Sequence, residues 1–365
     1  MYLESVRLLE FRNYERLTLA PSPKLNVLIG ENAAGKTNVL EALFLCALGR
    51  SHRTRHDGEL IRYGKNNASV SLELKKRSGS HSICCRLDSE LGKELKADGK
   101  PLSRSGELLG LLHVVMFSPE DLKLIKQGPS ERRRYIDMGL SQLKPSYYYC
   151  LQQYNQGLRQ RNALLKTGRV DKDTLAPWDE QLSRLGGRIS CLRQEFIKAH
   201  SKEAEKLHKS LSGGRETLYV KYLPSIKEQG TDYEAALKEA FALNLERDKA
   251  IGSTSAGPHR DDVLLELNGK DVRAFGSQGQ QRTAALSLKL SELALIKSLT
   301  KDTPVLLLDD VLSELDCFRQ QQLIELLKDT QVFLTATELF GLRGLDMAVY
   351  KVKDGVLSPC GSNQA

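Results

Sequence analysis

The period of apolar positions changes twice along this chain. In the first 30 residues apolar and polar side chains alternate, at Val6, Leu8 and Phe11 and again at Leu17 and Leu19, and a compact run from Leu25 to Ile29 ends on Gly30. Alternation predicts half-buried strands, and the run predicts a buried one. Shorter alternating stretches follow between 68 and 98, in SVSLEL and SICCRL, and Asp98-Gly99 fits a tight hairpin turn. This is an expected antiparallel patch. His113 to Phe117 reads as a further buried strand, closed by Ser118-Pro119.

From about 119 to 250 the period becomes helical. Tyr147, Leu151, Tyr154, Leu158 and Leu165 form one series, and after a break near Gly168 to Pro177 a second runs through Trp178, Leu182, Leu185, Ile189, Leu192 and Phe196. Two helices lying back to back explain both series. The second is expected to reach about Leu211, where Ser212-Gly213-Gly214 ends it. About 35 helical residues then make an arm of roughly 50 Å. Beyond 250 the strands return: a hairpin about Asn268-Gly269, a helix from about Gln280 to Ser298, the run Val305 to Leu308, then another helix and the strand QVFLTAT. The expected fold is α/β, one head interrupted by a helical insertion. Its N-terminal half would span 1–118, the helical arm 119–250 and its C-terminal half 251–365.

Composition narrows the class. The chain has 365 residues, 27% of them charged, with too little Gly and Pro for a disordered or fibrous protein. The 54 Lys and Arg against 46 Asp and Glu leave +8, a weak pointer to polyanionic partners. Cys46, Cys84, Cys85, Cys150, Cys191, Cys317 and Cys360 form no CxxC pair, which argues against a zinc ribbon and a disulfide framework. Most are expected to be buried thiols. No apolar run is long enough for a membrane span, so the expectation is a cytoplasmic protein with no membrane partner.

The chemistry begins where the first buried strand meets glycine. Gly30-Glu31-Asn32-Ala33-Ala34-Gly35-Lys36-Thr37 fits G-x-x-x-x-G-K-[ST] between an apolar strand and the helical run NVLEALFLCAL. Such a loop turns backbone N–H groups toward phosphates, with Lys36 reaching the β and γ oxygens and Thr37 ligating Mg²⁺. A P-loop also needs a carboxylate at the end of a neighbouring strand, and Val305 to Asp310 supplies two. Asp309 is assigned to Mg²⁺ and Asp310 to the attacking water. About 270 residues separate Thr37 from Asp309, far more than a compact nucleotide kinase uses.

About 30 residues ahead of Asp309 stands Ser277-Gln278-Gly279-Gln280-Gln281-Arg282, opening a helix. Alone it reads as an ordinary helix cap. In this order, with Ser313-Glu314-Leu315-Asp316 directly after the carboxylates, it matches the signature and D-loop of ABC-type ATPases.

With Phe11-Arg12-Asn13-Tyr14, Gly49 to Thr54, Phe117 to Leu122, Arg132 to Arg134 and Ser255-Ala256-Gly257-Pro258-His259-Arg260-Asp261-Asp262, these motifs cover the chain nearly end to end. The set resembles the RecF family of recombination mediator ATPases, short-armed relatives of the SMC proteins. The resemblance implies an ABC-type, SMC-like P-loop ATPase head with an inserted helical arm, using ATP and Mg²⁺. It implies an ATP-dependent head-to-tail homodimer, each nucleotide held between the P-loop of one subunit and Ser277, Gly279 and Gln280 of the other, with Arg12 and Asn13 beside it. A dimer joining two basic surfaces makes DNA affinity switchable. The family acts in recombinational repair and replication, binding DNA at single-strand gaps or junctions and promoting RecA loading with RecR and RecO. ATP binding would be the switch and hydrolysis weak and DNA-stimulated.

The sequence departs from the wider ABC pattern in places. Asp310 stands where Glu is usual, which implies slow turnover. FSPEDL holds no Gln, leaving Glu120 as a γ-phosphate sensor, and Thr335-Ala336-Thr337-Glu338 stands where a His would follow the last strand. Arg50, Arg53 and Arg55 are the leading DNA contacts, with Lys65, Lys75 to Arg77 and Arg132 to Arg134 behind them. Any one of these alone reads more readily as a solvated surface charge. His259 and Arg260 are expected to order a turn near the site, or equally to pack structurally, and Tyr147 to Tyr149 to pack in a core rather than stack on bases. Two other readings are an ATPase energising a membrane transporter and a P-loop phosphotransferase.

Overall fold

The computed structural model describes residues 1–226, 232–338 and 346–360. In chain order its strands are β1 (Tyr2–Phe11), β2 (Tyr14–Leu19), β3 (Leu25–Ile29), β4 (Asn67–Lys76), β5 (Gly79–Asp88), β6 (Gly92–Ala97), β7 (Lys100–Pro101), β8 (Val114–Phe117), β9 (Leu218–Leu223), β10 (Asp262–Leu267), β11 (Lys270–Asp271), β12 (Val305–Asp309), β13 (Val332–Ala336), β14 (Met347–Lys353) and β15 (Val356–Cys360). The α-helices are α1 (Lys36–Leu48), α2 (Lys123–Lys126), α3 (Pro129–Leu143), α4 (Pro145–Lys166), α5 (Lys172–Leu211), α6 (Tyr233–Leu243), α7 (Leu245–Ile251), α8 (Val272–Phe275), α9 (Gln278–Thr300) and α10 (Cys317–Leu326).

The chain forms two compact units, the first built from 1–121, 207–215 and 282–365, the second from 122–206 and 216–281. Residues 251–281, which the sequence reading joins to the C-terminal half of the head, therefore lie in the second unit. The reason is β9, a strand that reading passes over. It pairs antiparallel with β10 and completes the three-stranded sheet β11-β10-β9.

The first unit holds two six-stranded sheets. One is antiparallel, in the order β2-β1-β4-β5-β6-β7, and its inner face carries the alternating apolar set, with Val6 opposite Leu72 and Leu8 opposite Val70. The hairpin turn at Asp98-Gly99 has both φ angles positive, at 49° and 76°, as its residue types require. The other sheet runs β15-β14-β3-β13-β12-β8, parallel except for β15 at the edge. Its inner strands are covered on both faces, which is why LNVLI, VLLLD and VFLTA read as continuous apolar runs. Helix α1 touches β4 and β5 of one sheet and β8, β12 and β13 of the other, so nearly its whole circumference from Val39 to Leu48 is apolar and buried.

The second unit carries the helical pair. Gly157 of α4 faces Leu182 of α5, and the Cys150 thiol lies 3.6 Å from the Leu185 carbonyl, fixing the two antiparallel. The buried side of α4 is Tyr147, Cys150, Tyr154, Gly157, Arg161 and Leu165, so Tyr147 and Tyr154 are core residues. Leu151, Leu158 and Leu192 are only half-buried, while Arg161 and Arg193 lie inside. Pro177 sits in the second turn of α5 rather than in the break, where it removes a single backbone bond. α5 ends at Leu211 as expected, and at 1.5 Å per residue it is about 60 Å long, somewhat longer than expected, while α4 is about 33 Å.

Arg161 and Arg193 are each held by two carboxylates. Arg161 donates to Asp179 at 2.6 Å, Asp248 at 2.8 Å and Thr254 at 2.9 Å, and lies over the Phe241 ring. Arg193 donates to Asp137 at 2.8 Å and to the Pro258 carbonyl at 2.7 Å. His259 bonds Tyr154 at 2.8 Å and the Thr254 carbonyl at 3.0 Å, ordering the 254–262 turn as expected. All seven cysteines are free, but only Cys46, Cys85 and Cys150 are buried, fewer than expected. Among the described residues no helix is long and apolar enough to cross a membrane.

Candidate functional site

Strand β3 delivers the chain into a glycine loop and α1 carries it away, and the loop's shape is dictated by close approaches. A Cβ on Gly30 would stand 2.2 Å from the Val352 carbonyl oxygen, and one on Gly35, at φ +112°, 2.5 Å from the Asn13 amide. Asn13 donates to the Ala34 carbonyl at 2.9 Å and accepts from Asn38 at 2.8 Å, while the Tyr14 hydroxyl donates to the Gly35 carbonyl at 3.1 Å. The β1–β2 turn thus straps the loop to the start of α1. Inside the loop Lys36 Nζ donates to the Gly30 carbonyl at 2.6 Å and that of Glu31 at 2.9 Å. Burial lowers its pKa, against the raising pull of Asp310 and Asp309.

Across the sheet, β12 lies parallel to β13 with Asp309 opposite Thr335. Asp309 Oδ1 accepts from Thr37 Oγ1 at 2.8 Å and from Thr335 Oγ1 at 2.7 Å. Asp310 adopts φ +51°, its N–H donating to Thr335 Oγ1 at 2.9 Å and its carbonyl accepting from Ser313 Oγ at 2.8 Å. Together these groups wall a cavity of about 440 Å³ lined by Glu31, Asn32, Ala33, Gly35, Lys36 and Thr37 on one side and by Asp309, Asp310 and Thr335 on the other. The predicted loop and carboxylates, 272 residues apart at Thr37 and Asp309, meet in one site.

The flanking residues Arg12 and Asn13 line a second cavity beside this one. Arg12 does not line the phosphate-loop cavity: its Nε and Nη2 clasp Glu41 at 2.9 and 2.8 Å, and Nη1 donates to the Glu59 carbonyl at 2.8 Å. Burial would raise the pKa of Glu41, but the bonds from Arg12 and Ser51 hold it below the ordinary value. Arg53, grouped on sequence with the DNA contacts, lines the phosphate-loop cavity and donates to Asn38 at 2.9 Å. Arg50 and Arg55 are exposed. The second cavity, of about 660 Å³, shares Asn38 and Arg53 and opens beside Tyr63, whose ring is fully exposed. The nearby Arg62 and Lys65 are paired with Glu10, and Arg62 also with Glu15.

Ser277 lies in the second unit, at the head of α9. Its N–H donates to Gln280 Oε1 at 2.8 Å and its hydroxyl accepts from the Gln280 N–H at 3.3 Å, a reciprocal capping box. The Gln280 amide is tied to Glu216 at 2.9 Å, and the space a side chain would fill at Gly279 is open. In the first unit Asp316 caps α10 through the Arg319 N–H at 2.9 Å. In the FSPEDL segment the inward acid is Asp121, bonded to the Ser118 N–H at 2.8 Å and to Lys289 at 3.0 Å. Thr335, Asn38 and Lys289 escape sequence reasoning. Only Thr335 leaves a signal, the alignment of the ends of QVFLTAT and VLLLDD in a parallel sheet.

The sequence model of the RecF/RecN/SMC N terminal domain family matches residues 2–339. The chain is 47% identical over 362 residues to the DNA replication and repair protein RecF of Alkaliphilus oremlandii, covering 97% of this chain and 99% of that protein. It is also 47% identical to RecF of Acetivibrio thermocellus, over 96% and 97% of the two chains. A solved structure of the recombination mediator protein RecF with ATP, of the RecFOR pathway, superposes with a TM-score of 0.91 at 35% identity, covering 98% of this chain and 97% of that one. The Smc head domain of Pyrococcus furiosus, at 17% identity and a TM-score of 0.59, shares the fold. With an ABC-type, SMC-like P-loop ATPase head and an inserted helical arm, the chain belongs to the RecF family of DNA replication and repair proteins.

Proposed function

We propose that the chain is an ATP-gated DNA clamp that binds ATP on the 30–37 loop, closes as a head-to-tail homodimer on gapped DNA and reopens on slow hydrolysis. The observation that carries this reading is the 2.8 Å bond between Thr37 and Asp309, which joins a P-loop to its partner carboxylate in one cavity. The loop N–H groups and Lys36 would take the phosphates in place of the carbonyls Lys36 now bonds. Arg53, on the cavity wall, adds a second cation to them. The neighbouring cavity suits a purine base over the Tyr63 ring, because Arg62 and Lys65 on its wall are already paired with glutamates.

The donor set also fits a metal. Thr37 Oγ1, Asp309 and Asp310 are hard oxygen donors that meet in one cavity, the kind Mg²⁺ prefers, and the Thr37 proton is spent on Asp309 so that its lone pairs remain available. Bound there, Mg²⁺ would neutralise charge on the β and γ phosphates. Asp310 orients the attacking water and accepts its proton. Ser277, Gly279 and Gln280 stand at the N-terminus of α9, whose positive dipole end suits the γ-phosphate on a partner subunit. Of the three leading DNA contacts, Arg50 and Arg55 lie outside the nucleotide cavities.

The relatives' names support a place in the RecFOR pathway. On that basis we assign RecR and RecO as partners and RecA loading at single-strand gaps as the outcome. No observation favours the transporter reading. Sedimentation velocity with ADP or ATP, with and without a gapped duplex, tests the proposal. Wild type should dimerise only with ATP, and Lys36→Met and Ser277→Arg should stay monomeric. A chain monomeric in every condition would overturn it.

A further inference from the structure

We infer that Thr335 is a positioning residue that sets both carboxylates of the site, Asp309 through its side chain and Asp310 through its backbone; the inference rests on the ATPase reading above. The sequence places Thr335 near where an ABC-type ATPase would carry a histidine, and no motif gives it a role. It stands on β13 directly opposite Asp309 of β12, is 1% exposed, and reaches the cavity wall. Its hydroxyl has one proton, committed to Asp309 Oδ1 at 2.7 Å, and a lone pair that accepts the Asp310 N–H at 2.9 Å.

Each bond has a consequence. Asp309 Oδ1 holds two hydroxyl donors, Thr37 and Thr335, so its carboxylate is fixed from α1 and from β13 at once and cannot rotate without losing one. Asp310 is a non-glycine residue in left-handed backbone, a conformation that persists only when its surroundings hold it. Thr335 holds it on the N–H side and Ser313 on the carbonyl side. One hydroxyl therefore couples the acid assigned to the metal to the acid assigned to the water. A valine there keeps the shape and the strand preference and loses both bonds, whereas a serine keeps both.

The test uses the full chain as Thr335→Val and Thr335→Ser. The readouts are steady-state kcat and KM for ATP, and affinity for a fluorescent ATP analogue in EDTA and in Mg²⁺. Thr335→Val should lower kcat about tenfold or more, the scale of one lost hydrogen bond to a charged group. Its affinity in EDTA should stay within about twofold of wild type, because the glycine loop is untouched, and the gain on adding Mg²⁺ should shrink; Thr335→Ser should restore both. A valine variant with wild-type kcat and the full Mg²⁺ gain overturns the inference, whatever its melting temperature. If the valine variant does not fold, Thr335→Cys, a weaker donor of similar size, must fall below Thr335→Ser in both kcat and the Mg²⁺ gain; parity with wild type overturns the inference. A wild type that fails to bind the analogue at all would instead sink the ATPase reading.

Discussion

Asn13 and Gly35 are fitted to one another: a Cβ on Gly35 would stand only 2.5 Å from the Asn13 amide nitrogen, which donates to the adjoining Ala34 carbonyl at 2.9 Å. The turn between two antiparallel strands thereby fixes a loop that belongs to the parallel sheet. Gly35→Ala introduces both a clash and an unfavourable φ of +112°. We expect it to abolish binding of a fluorescent ATP analogue while leaving the circular dichroism of the fold in place. Asn13→Ala removes the strap without a clash and should weaken nucleotide binding by about fivefold to tenfold, the scale of one lost hydrogen bond. Equal affinity in wild type and Asn13→Ala would show that the loop holds its shape unaided.

Arg161 and Asp248 are both wholly buried and joined at 2.8 Å. Removing one partner strands the other charge, so Arg161→Met should cost about 3–5 kcal/mol in urea unfolding. Replacing both, as Arg161→Met with Asp248→Asn, should recover part of that loss. If the double variant is as unstable as the sum of the singles, the pair is not the source of the cost.

The parallel strands, the phosphate loop and the carboxylate pair were legible in the sequence because each is over-determined. A strand covered on both faces must be apolar throughout, and a loop pressed against Asn13 and Val352 must have glycine at 35 and 30. Arg161 and Arg193 were not legible, since an arginine between apolar positions of a helix looks like a surface charge until its carboxylate partners, far away in sequence, are known. The same limit hid Thr335, whose role depends on the register of β12 against β13. Strand β9 is equally hidden, since its partner β10 lies about 40 residues on, and with it the membership of residues 251–281 in the second unit.

His259 carries a pH prediction. Burial is the main cause lowering its pKa from the ordinary 6.5 to about 4; the bond to Thr254 opposes this, Arg260 and Arg133 assist it, and Asp248 opposes it. The unfolded chain therefore takes up a proton near pH 6.5 that the folded chain refuses until about pH 4. Stability from this group is full above pH 6.5 and falls as pH drops through that window, by about 3 kcal/mol in all. His259→Gln should flatten the slope of unfolding free energy against pH by about one proton. An unchanged slope would mean that the imidazole charges freely in the fold.

Arg53 and Arg55 should separate nucleotide from DNA. Arg53 lines the cavity and is held by Asn38, whereas Arg55 is exposed outside it. Arg53→Ala should lower affinity for the ATP analogue several-fold. Arg55→Ala should leave that affinity alone and reduce the salt dependence of DNA binding by about one unit of log K per log salt. Arg55→Ala with wild-type DNA affinity and slope would remove it from the DNA surface.

Asp310→Asn should uncouple closing from reopening. The substitution keeps the side chain's shape and leaves untouched the backbone bonds to Thr335 and Ser313 that hold the residue at φ +51°, so the cavity should still accept ATP. What it removes is a carboxylate able to take a proton from water, a contribution of about 10² to 10⁴ in rate. We expect ATP to drive dimerisation as in wild type, with phosphate release slowed by at least about a hundredfold and gapped DNA retained through a chase with excess ADP. The contrast with Lys36→Met, which should never close, locates the switch in binding and its reset in hydrolysis. An Asp310→Asn dimer that falls apart at the wild-type rate would mean that nucleotide exchange, not proton transfer to Asp310, reopens the pair.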